Sequence, residues 1–202
     1  MGAKMKRLAK RRPRGAVLVV GLASWPGGRR ARHDVGAALV ERFVAARGGT
    51  WALRPRLLAY VAELDGGGVC VAPLLPYNCV GLAVRRCAAE FGAALGRVFV
   101  VHDDLELAAG SVRRARGGSG RGNNGVKSVA AALGMRDFQR IRVGVGRPAA
   151  RDRVAVVAHV LGGLPAADRA TAEAAFDALL RDEAPFSRIT AEGGPVRARN
   201  DV

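Results

Sequence analysis

Short hydrophobic runs alternate along the chain with segments in which apolar residues recur every three or four positions. The runs are rich in valine and leucine and end near glycine or proline, which predicts buried β-strands. The longer spacing predicts helices with one buried face. The predicted strands cover residues 16–22, 57–64, 69–75, 97–102 and 138–145. The predicted helices cover residues 34–46, 78–91, 155–160 and 166–181, and one more follows the glycine-rich segment to about residue 133.

The order of these elements predicts one α/β domain with three layers. Strands that alternate with helices favour a mixed, mostly parallel central sheet covered on both faces. Residues 65–68 predict a hairpin loop, which supplies one antiparallel element. The length of 202 residues suits a single domain. We expect it to span residues 16–184, after a basic N-terminal segment (1–15) and before a C-terminal tail (185–202).

The charge of the chain points to an anionic partner. There are 33 lysines and arginines against 17 aspartates and glutamates, a net charge of +16. Such an excess predicts attraction to a polyanion, most often a nucleic acid. A solubilising surface, or the arginine bias of a GC-rich genome, is the alternative interpretation. The apolar runs are far shorter than the roughly 20 residues of a membrane span, so we expect no membrane insertion.

Two further features bear on location. Residues 1–15 are basic and contain no acidic residue, and no secretory signal follows them. They are either an organelle-targeting remnant or a basic arm for RNA. The three cysteines have neither a C-x-x-C pair nor metal-binding spacing, which suggests reduced thiols. We expect a mitochondrial or other organellar protein rather than a cytoplasmic or secreted one.

Four polar or glycine-rich segments fall where predicted strands end, which is where open α/β sheets gather functional groups. They cover residues 21–36, 76–81, 102–105 and 117–125. Two familiar phosphate-binding motifs do not fit. Ala23 interrupts the G-x-G-x-x-G dinucleotide fingerprint, and Val126 stands where a P-loop needs lysine.

Taken in order, these segments resemble the peptidyl-tRNA hydrolase family of the bacterial and organellar type. The resemblance extends over about residues 16–165. It rests on G-L-A-S-W-P-G at 21–27, A-R-H-D-V-G at 31–36, P-Y-N-C-V-G at 76–81, V-H-D-D-L at 101–105, and the loop 117–125 that leads to R-I-R-V-G-V-G-R-P at 140–148. The resemblance implies the family's α/β fold and hydrolysis of the ester that joins a peptide to tRNA.

The same resemblance implies a role for individual residues. His33 would take a proton from water, and Asp103 would orient its ring. The implied substrate-binding residues are Ser24, Tyr77, Asn78 and Asn124. The implied clamp on tRNA phosphates consists of Arg114, Arg116, Arg121, Lys127 and Arg142. No cofactor or metal is implied, and the protein would act as a monomer. Without the motifs, His33 would be interpreted as structural, and Asn78 and Asn124 as helix caps.

The chain departs from the family pattern at four places. Ser24 and Trp25 stand where the family has one asparagine, Tyr77 replaces a methionine, Asn123 a histidine and Ala115 a lysine. Two hypotheses follow. The first is an active peptidyl-tRNA hydrolase. The second is a catalytically impaired, RNA-binding relative that acts in organellar ribosome assembly or RNA splicing, with rRNA or a ribosomal particle as its partner.

Overall fold

A computed structural model of the chain describes residues 15–23, 31–150, 152–182 and 186. The strands within these ranges are β1 (Val17–Gly21), β2 (Ala52–Arg54), β3 (Ala59–Leu64), β4 (Gly68–Pro73), β5 (Val98–Asp104), β6 (Val112–Arg116) and β7 (Gln139–Gly144). The α-helices are α1 (Val35–Ala45), α2 (Gly81–Phe91), α3 (Asn124–Leu133), α4 (Arg153–Leu161) and α5 (Ala166–Asp182).

The strands form a mixed sheet in the spatial order β2-β3-β4-β1-β5-β7-β6. The four central strands are parallel: β1 lies between β4 and β5, and β5 pairs with β7. Both edges are antiparallel, because β3 pairs in this way with β2 and β4, and β6 with β7. The prediction of one α/β domain with a mixed sheet is confirmed, and residues 65–68 join β3 to β4. Antiparallel pairing is more extensive than the single element that we expected.

Helices cover the sheet on both faces, which gives the predicted three layers and two hydrophobic cores. One core lies between the sheet and helices α1 and α5, where Phe43 and Phe176 meet edge to face with ring centroids 6.2 Å apart. The other lies beneath α2 and α3 and includes Leu18 and Phe138. β5 is buried along its length, which explains why its first residues are a continuous apolar run.

Phe186 lies beyond the predicted end of the domain at residue 184. Its side chain is fully buried and packs against Phe99, with ring centroids 4.5 Å apart. The chain therefore still contributes to the first core at this point. The rest of the predicted tail, and the basic segment before residue 15, lie outside the described residues.

Two strands and two helix caps differ from expectation. β2 and β6 were not predicted, because β2 has only three residues, all exposed, and β6 carries arginines that an edge strand tolerates. The interpretation of Asn78 as a helix cap is wrong: it lies in a 3-10 turn, Tyr77–Cys79, and α2 begins without a side-chain cap. α3 is capped by Asn123 rather than by Asn124.

A close backbone contact between α1 and β5 brings the functional segments together. A Cβ atom on Gly36 would lie 2.2 Å from the carbonyl oxygen of Val101, so only glycine permits this approach. The N–H of Ala37 also donates to the carbonyl oxygen of Leu22 at 3.1 Å. The turn before α1 is thereby held beside the carboxyl end of β5.

Candidate active site

His33 and Asp103 are 70 residues apart in the chain and hydrogen-bonded to each other. His33 lies in the 3-10 turn before α1, and Asp103 is the penultimate residue of β5. The distance from His33 Nδ1 to Asp103 Oδ1 is 2.9 Å. The histidine side chain is 19% exposed and the aspartate side chain 5%, so the imidazole reaches solvent and the carboxylate does not. Because Nδ1 is occupied, Nε2 is the ring nitrogen left for chemistry.

Tyr77 and Asn123 complete the surroundings of Asp103. The Tyr77 hydroxyl donates to Asp103 Oδ1 at 2.8 Å, and Asn123 Nδ2 donates to the same oxygen at 2.9 Å. Asn123 Nδ2 also lies 2.9 Å from the Tyr77 hydroxyl oxygen. The Tyr77 ring stacks on the His33 imidazole with centroids 3.6 Å apart. Two of the four departures from the family pattern are therefore in direct contact with each other.

Burial and the neighbouring Asp103 carboxylate both raise the pKa of Tyr77 well above its ordinary value. The phenol is accordingly neutral at physiological pH and keeps its proton as a hydrogen-bond donor. Gly125 makes room for the ring, since a Cβ at this position would lie 2.5 Å from Tyr77 Cε1. The absence of a side chain at Gly125 thus allows the Tyr77 ring to occupy this position.

His33 and Asp103 lie in the wall of an open cleft of about 410 Å³. Its polar side includes His102, Glu106, Asn123 and Asn124, and its apolar side is formed by α4. The residues of α4 that line the cleft are Val156, Val157, Val160 and Leu161.

Helix α4 has no fully buried residue and is fixed to the site by polar contacts. Arg32 Nη1 donates to the carbonyl oxygen of His159 at 3.2 Å, and the Arg32 N–H donates to Gly162 O at 2.8 Å. His159 Nε2 lies 3.1 Å from Val145 O and 3.0 Å from Gly146 O. The residue before His33 therefore also anchors the apolar side of the cleft.

Two buried groups beside Asp103 have fixed charge states. Burial lowers the pKa of His102, whose Nδ1 lies 2.7 Å from the carbonyl oxygen of Asp103. Burial alone would raise the pKa of Asp104. The hydrogen bonds from Arg142 Nε at 2.6 Å and from the Glu106 N–H at 2.9 Å, together with the Arg142 charge, outweigh burial, and the pKa lies below its ordinary value. Neutral His102 and the Asp104–Arg142 ion pair thus add little net charge to the site.

The glycine-rich loop lies between this cleft and a second, basic cavity. Gly120, Arg121 and Gly122 line both. The second cavity has a volume of about 510 Å³, and its lining contains Arg121, Lys127 and Arg136 and no acidic side chain. Beneath the loop, Arg140 is 7% exposed and donates through Nη1 to Ser119 O at 3.0 Å. The loop is therefore supported by a guanidinium group and has cations on its outer side.

The structure brings some of the predicted site residues together and separates others. His33, Asp103 and Tyr77 are in mutual contact, and Asn124 lines the same cleft. Asn78 is exposed on the turn next to Tyr77 and does not line that cleft. Ser24 lies outside the described residues.

The five residues of the predicted phosphate clamp do not share one surface. Arg121 and Lys127 line the basic cavity, and Arg142 is paired with Asp104. Arg114 lies with its guanidinium carbon 5.4 Å from the Phe99 ring centroid, on the α1–α5 side of the sheet. Arg116 points to the same side, because alternate residues of β6 share a face, and it pairs with Asp137 at 2.6 Å.

Sequence reasoning assigned no role to four residues that lie in the site or on the same side of the sheet. Arg113 is the β6 residue directly opposite Arg142, so it lies on the glycine-loop side of the sheet. Asn123 was noted only as a departure, although it contacts both Tyr77 and Asp103. Arg147 and Glu106 form an ion pair at the rim of the cleft. The alternation of side chains in β6 would have identified Arg113 if that strand had been predicted.

A histidine that presents one free ring nitrogen to a cleft, with a buried carboxylate on the other nitrogen, is the arrangement of a general base. The protein is thus a three-layer α/β domain with a histidine–carboxylate pair in the wall of an open cleft. Among the described residues, no three His, Cys, Asp or Glu side chains group to hold a metal ion. In the same part of the chain, no helix has the length and apolarity needed to cross a membrane.

Comparison with known proteins identifies the family. The sequence model of peptidyl-tRNA hydrolase matches residues 18–188. A peptidyl-tRNA hydrolase of Mycobacterium bovis is 35% identical over 191 residues, 92% of this chain and 96% of the relative. A Synechococcus peptidyl-tRNA hydrolase is 39% identical over 154 residues, 72% of this chain and 73% of the relative. The chain belongs to the peptidyl-tRNA hydrolase family.

The solved structures agree with this assignment. The crystal structure of peptidyl-tRNA hydrolase from Acinetobacter baumannii superposes with a TM-score of 0.73 at 26% sequence identity. The match covers 80% of this chain and 83% of that one. The described fold is therefore that of the family.

Proposed function

We propose that the protein hydrolyses the ester bond between peptide and tRNA in peptidyl-tRNA, with His33 as the general base and Asp103 as its orienting carboxylate. The observation that carries this proposal is the 2.9 Å hydrogen bond between the two side chains in the wall of the cleft. The names of the matched relatives support the choice of substrate.

The reaction begins with a water molecule hydrogen-bonded to His33 Nε2. The imidazole takes one proton as the water oxygen attacks the ester carbonyl carbon, and a tetrahedral intermediate forms. The Asp103 carboxylate stabilises the imidazolium during this step. The intermediate then breaks its bond to the ribose oxygen, which receives the proton from His33. The products are the peptide acid and tRNA with a free ribose hydroxyl.

Asn124 is the candidate for stabilising the oxyanion. It is the first residue of α3, it lines the cleft, and its carboxamide offers two N–H donors without a charge. The start of a helix also favours negative charge, because its first N–H groups point outward. Asn78, exposed beside Tyr77, remains a candidate for contact with the peptide.

The RNA part of the substrate is proposed to lie across the glycine-rich loop. This loop borders the cleft on one side and the basic cavity on the other, so phosphates near Arg121 and Lys127 are compatible with an ester near His33. Arg136 and Arg113 add positive charge on the same side of the sheet. Lysine and arginine contacts of this kind release counterions and make binding sensitive to salt.

The decisive experiment is hydrolysis of a defined N-acetyl-aminoacyl-tRNA under single-turnover conditions. We expect His33→Ala to slow release by about 10²- to 10⁴-fold and to leave tRNA affinity unchanged, because the base acts only in the transition state. Absence of turnover by folded wild-type protein would exclude the proposed hydrolase activity.

A second experiment tests the RNA surface. We expect Lys127→Ala and Arg121→Ala each to weaken tRNA binding and to reduce the slope of log Kd against log salt by about one. Arg181→Ala is the matched control, since this arginine is exposed on α5, across the sheet. Equal effects of all three substitutions would contradict the proposed surface.

The alternative function, an RNA-binding relative without catalysis, makes the opposite prediction for the first experiment. It predicts salt-sensitive RNA binding without turnover, whatever residue stands at position 33. The contact between His33 and Asp103 favours the hydrolase, because RNA binding alone does not need it. Organellar location, association with ribosomal particles and the monomeric state stay predictions.

A further inference from the structure

We propose that Tyr77 and Asn123 are a coupled pair of positioning residues that fix the orientation of Asp103 and the tautomer of His33. The inference rests on the proposed hydrolase function for its kinetic consequences, and on geometry for everything else. Both side chains donate to Asp103 Oδ1, the oxygen that also contacts His33 Nδ1.

The direction of each hydrogen bond follows from the N-terminus of α3. The backbone N–H of Val126 donates to Asn123 Oδ1 at 3.0 Å, which requires the carboxamide oxygen on that side. Asn123 Nδ2 must then face Tyr77 and Asp103, and it can only donate. The Tyr77 oxygen accepts from Nδ2, so its own proton is directed to Asp103 Oδ1.

This chain of bonds determines which nitrogen of His33 carries the proton. Asp103 Oδ1 is a carboxylate oxygen and can only accept, so His33 Nδ1 is the donor in their contact. Nε2 then has its lone pair available for water. Asp103 thus selects the tautomer required of a general base, and the hydrogen bonds from Tyr77 and Asn123 keep its oxygen in the position where it can do so.

Tyr77 acts on His33 in a second way, through its ring. The two rings are stacked at 3.6 Å with an angle of 25° between their planes. Because Tyr77 is 8% exposed and packed against Gly125, it has little freedom to tilt. The imidazole is therefore held both at its edge and on its face.

The two donors also limit how far the Asp103 carboxylate can turn. With both hydrogen bonds in place, Oδ1 stays within reach of His33 Nδ1. With one of them removed, the carboxylate can rotate, and the imidazole is no longer held at this edge.

The kinetic test compares Tyr77→Phe, Asn123→Ser and the double variant. Phenylalanine keeps the stacked ring and removes the hydroxyl, and serine keeps the helix cap and removes the amide. We expect each single variant to lower kcat by about 10- to 100-fold with little change in KM, the range for a hydrogen bond to a charged group.

The double variant should be scarcely slower than the worse single variant, because both substitutions interrupt the same chain of bonds. Multiplied losses would overturn the coupling, and losses that appear in KM rather than in kcat would reduce both residues to a structural role. Tyr60→Phe is the matched control, since this tyrosine is exposed on β3 and is the only other one in the chain.

A spectroscopic test does not depend on turnover. In ¹⁵N-labelled full-length protein, the ring nitrogen shifts of His33, assigned with His33→Gln, report which nitrogen is protonated. We expect the Nδ1–H tautomer in the wild type. In Tyr77→Phe and Asn123→Ser we expect a mixture of tautomers, because an Asp103 carboxylate that has lost one of its two fixed donors can turn away from His33 Nδ1. A wild type that lacks the Nδ1–H form, or variants identical to it, would overturn the inference. If the wild type shows this tautomer but no hydrolysis, the proposed function fails and the positioning network stands.

Discussion

Replacing Asp103 by asparagine removes one charge and keeps the shape of the side chain. The asparagine oxygen can accept the same three hydrogen bonds, from His33, Tyr77 and Asn123, that Asp103 Oδ1 accepts. Because all three donors surround that oxygen, the amide nitrogen should occupy the position of Oδ2. We therefore expect Asp103→Asn to keep the His33 tautomer and to lose only the charge.

The size of the loss follows from the hydrogen bond between His33 Nδ1 and Asp103 Oδ1, whose length is 2.9 Å. A hydrogen bond to a charged group contributes about 1.5–3 kcal/mol. Loss of this contribution in the transition state slows the reaction on the order of 10²-fold. An amide that turned its NH₂ group toward His33 would reverse the tautomer and bring the loss to about 10⁴-fold.

Single-turnover hydrolysis of N-acetyl-aminoacyl-tRNA, at saturating enzyme, measures this difference directly. Asp65→Asn is the matched control, because Asp65 is exposed in the turn between β3 and β4. A loss of rate no larger than that of the control would refute the claim that the negative charge of Asp103 speeds the reaction. A loss near 10⁴-fold would refute the claim that Tyr77 and Asn123 hold the oxygen in place.

Three further predictions concern packing, pH and thiol chemistry. Gly125→Ala places a Cβ 2.5 Å from Tyr77 Cε1, so urea denaturation should show a free energy of unfolding lower by about 1–3 kcal/mol; unchanged stability would contradict the contact. Arg142 holds the pKa of Asp104 below its ordinary value, so Asp104→Asn should be destabilising at neutral pH. This loss of stability should vanish as the pH falls from about 4, the pKa of the aspartate in the unfolded chain, through its lower pKa in the folded protein. Urea denaturation across this pH range would show a constant loss if the reasoning is wrong. Cys79 is exposed, whereas burial raises the pKa of each of the other two thiols to about 12, so DTNB should react rapidly with one thiol of the native protein and with all three after unfolding; a second rapid thiol would contradict this.

The contact between His33 and Asp103 could be anticipated because each residue belongs to a motif at the end of a predicted element. Strand ends in a parallel sheet meet at one edge, so motifs placed there converge in space. The apolar runs around them predicted β1 and β5 to within two residues of their observed ends. Burial of these strands on both faces makes the hydrophobic signal strong.

The roles of Tyr77 and Asn123 could not be predicted in the same way. A sequence pattern gives the position of a carboxamide but not the direction of its oxygen, which here depends on the N–H of Val126. Tyr77 was assigned to substrate binding because it adjoins Asn78, whereas its side chain is buried and bonded to Asp103. Adjacent residues on a turn can face opposite environments, and only coordinates distinguish them.

The predicted phosphate clamp is divided between the two faces of the sheet for a different reason. Arg114 and Arg116 were grouped with Arg142 because all three surround the glycine-rich loop in sequence. Once β6 is recognised as a strand, the alternation of its side chains places Arg114 and Arg116 on the face that α1 and α5 cover. The same alternation places Arg113 beside Arg142 on the opposite face. A strand with three arginines does not show the hydrophobic pattern by which strands are recognised, so the alternation could not be applied.

Asn123 connects the two halves of the proposed reaction. It lies in the glycine-rich loop that borders the basic cavity, it caps α3, and its amide donates to Asp103. In the proposed mechanism, a shift of the loop toward an RNA phosphate would therefore move a donor of Asp103 as well. Conversely, Asp103 and Tyr77 restrain this part of the loop through the same amide. If RNA binds at the loop, we expect its affinity and the orientation of His33 to be coupled through the Asn123 side chain.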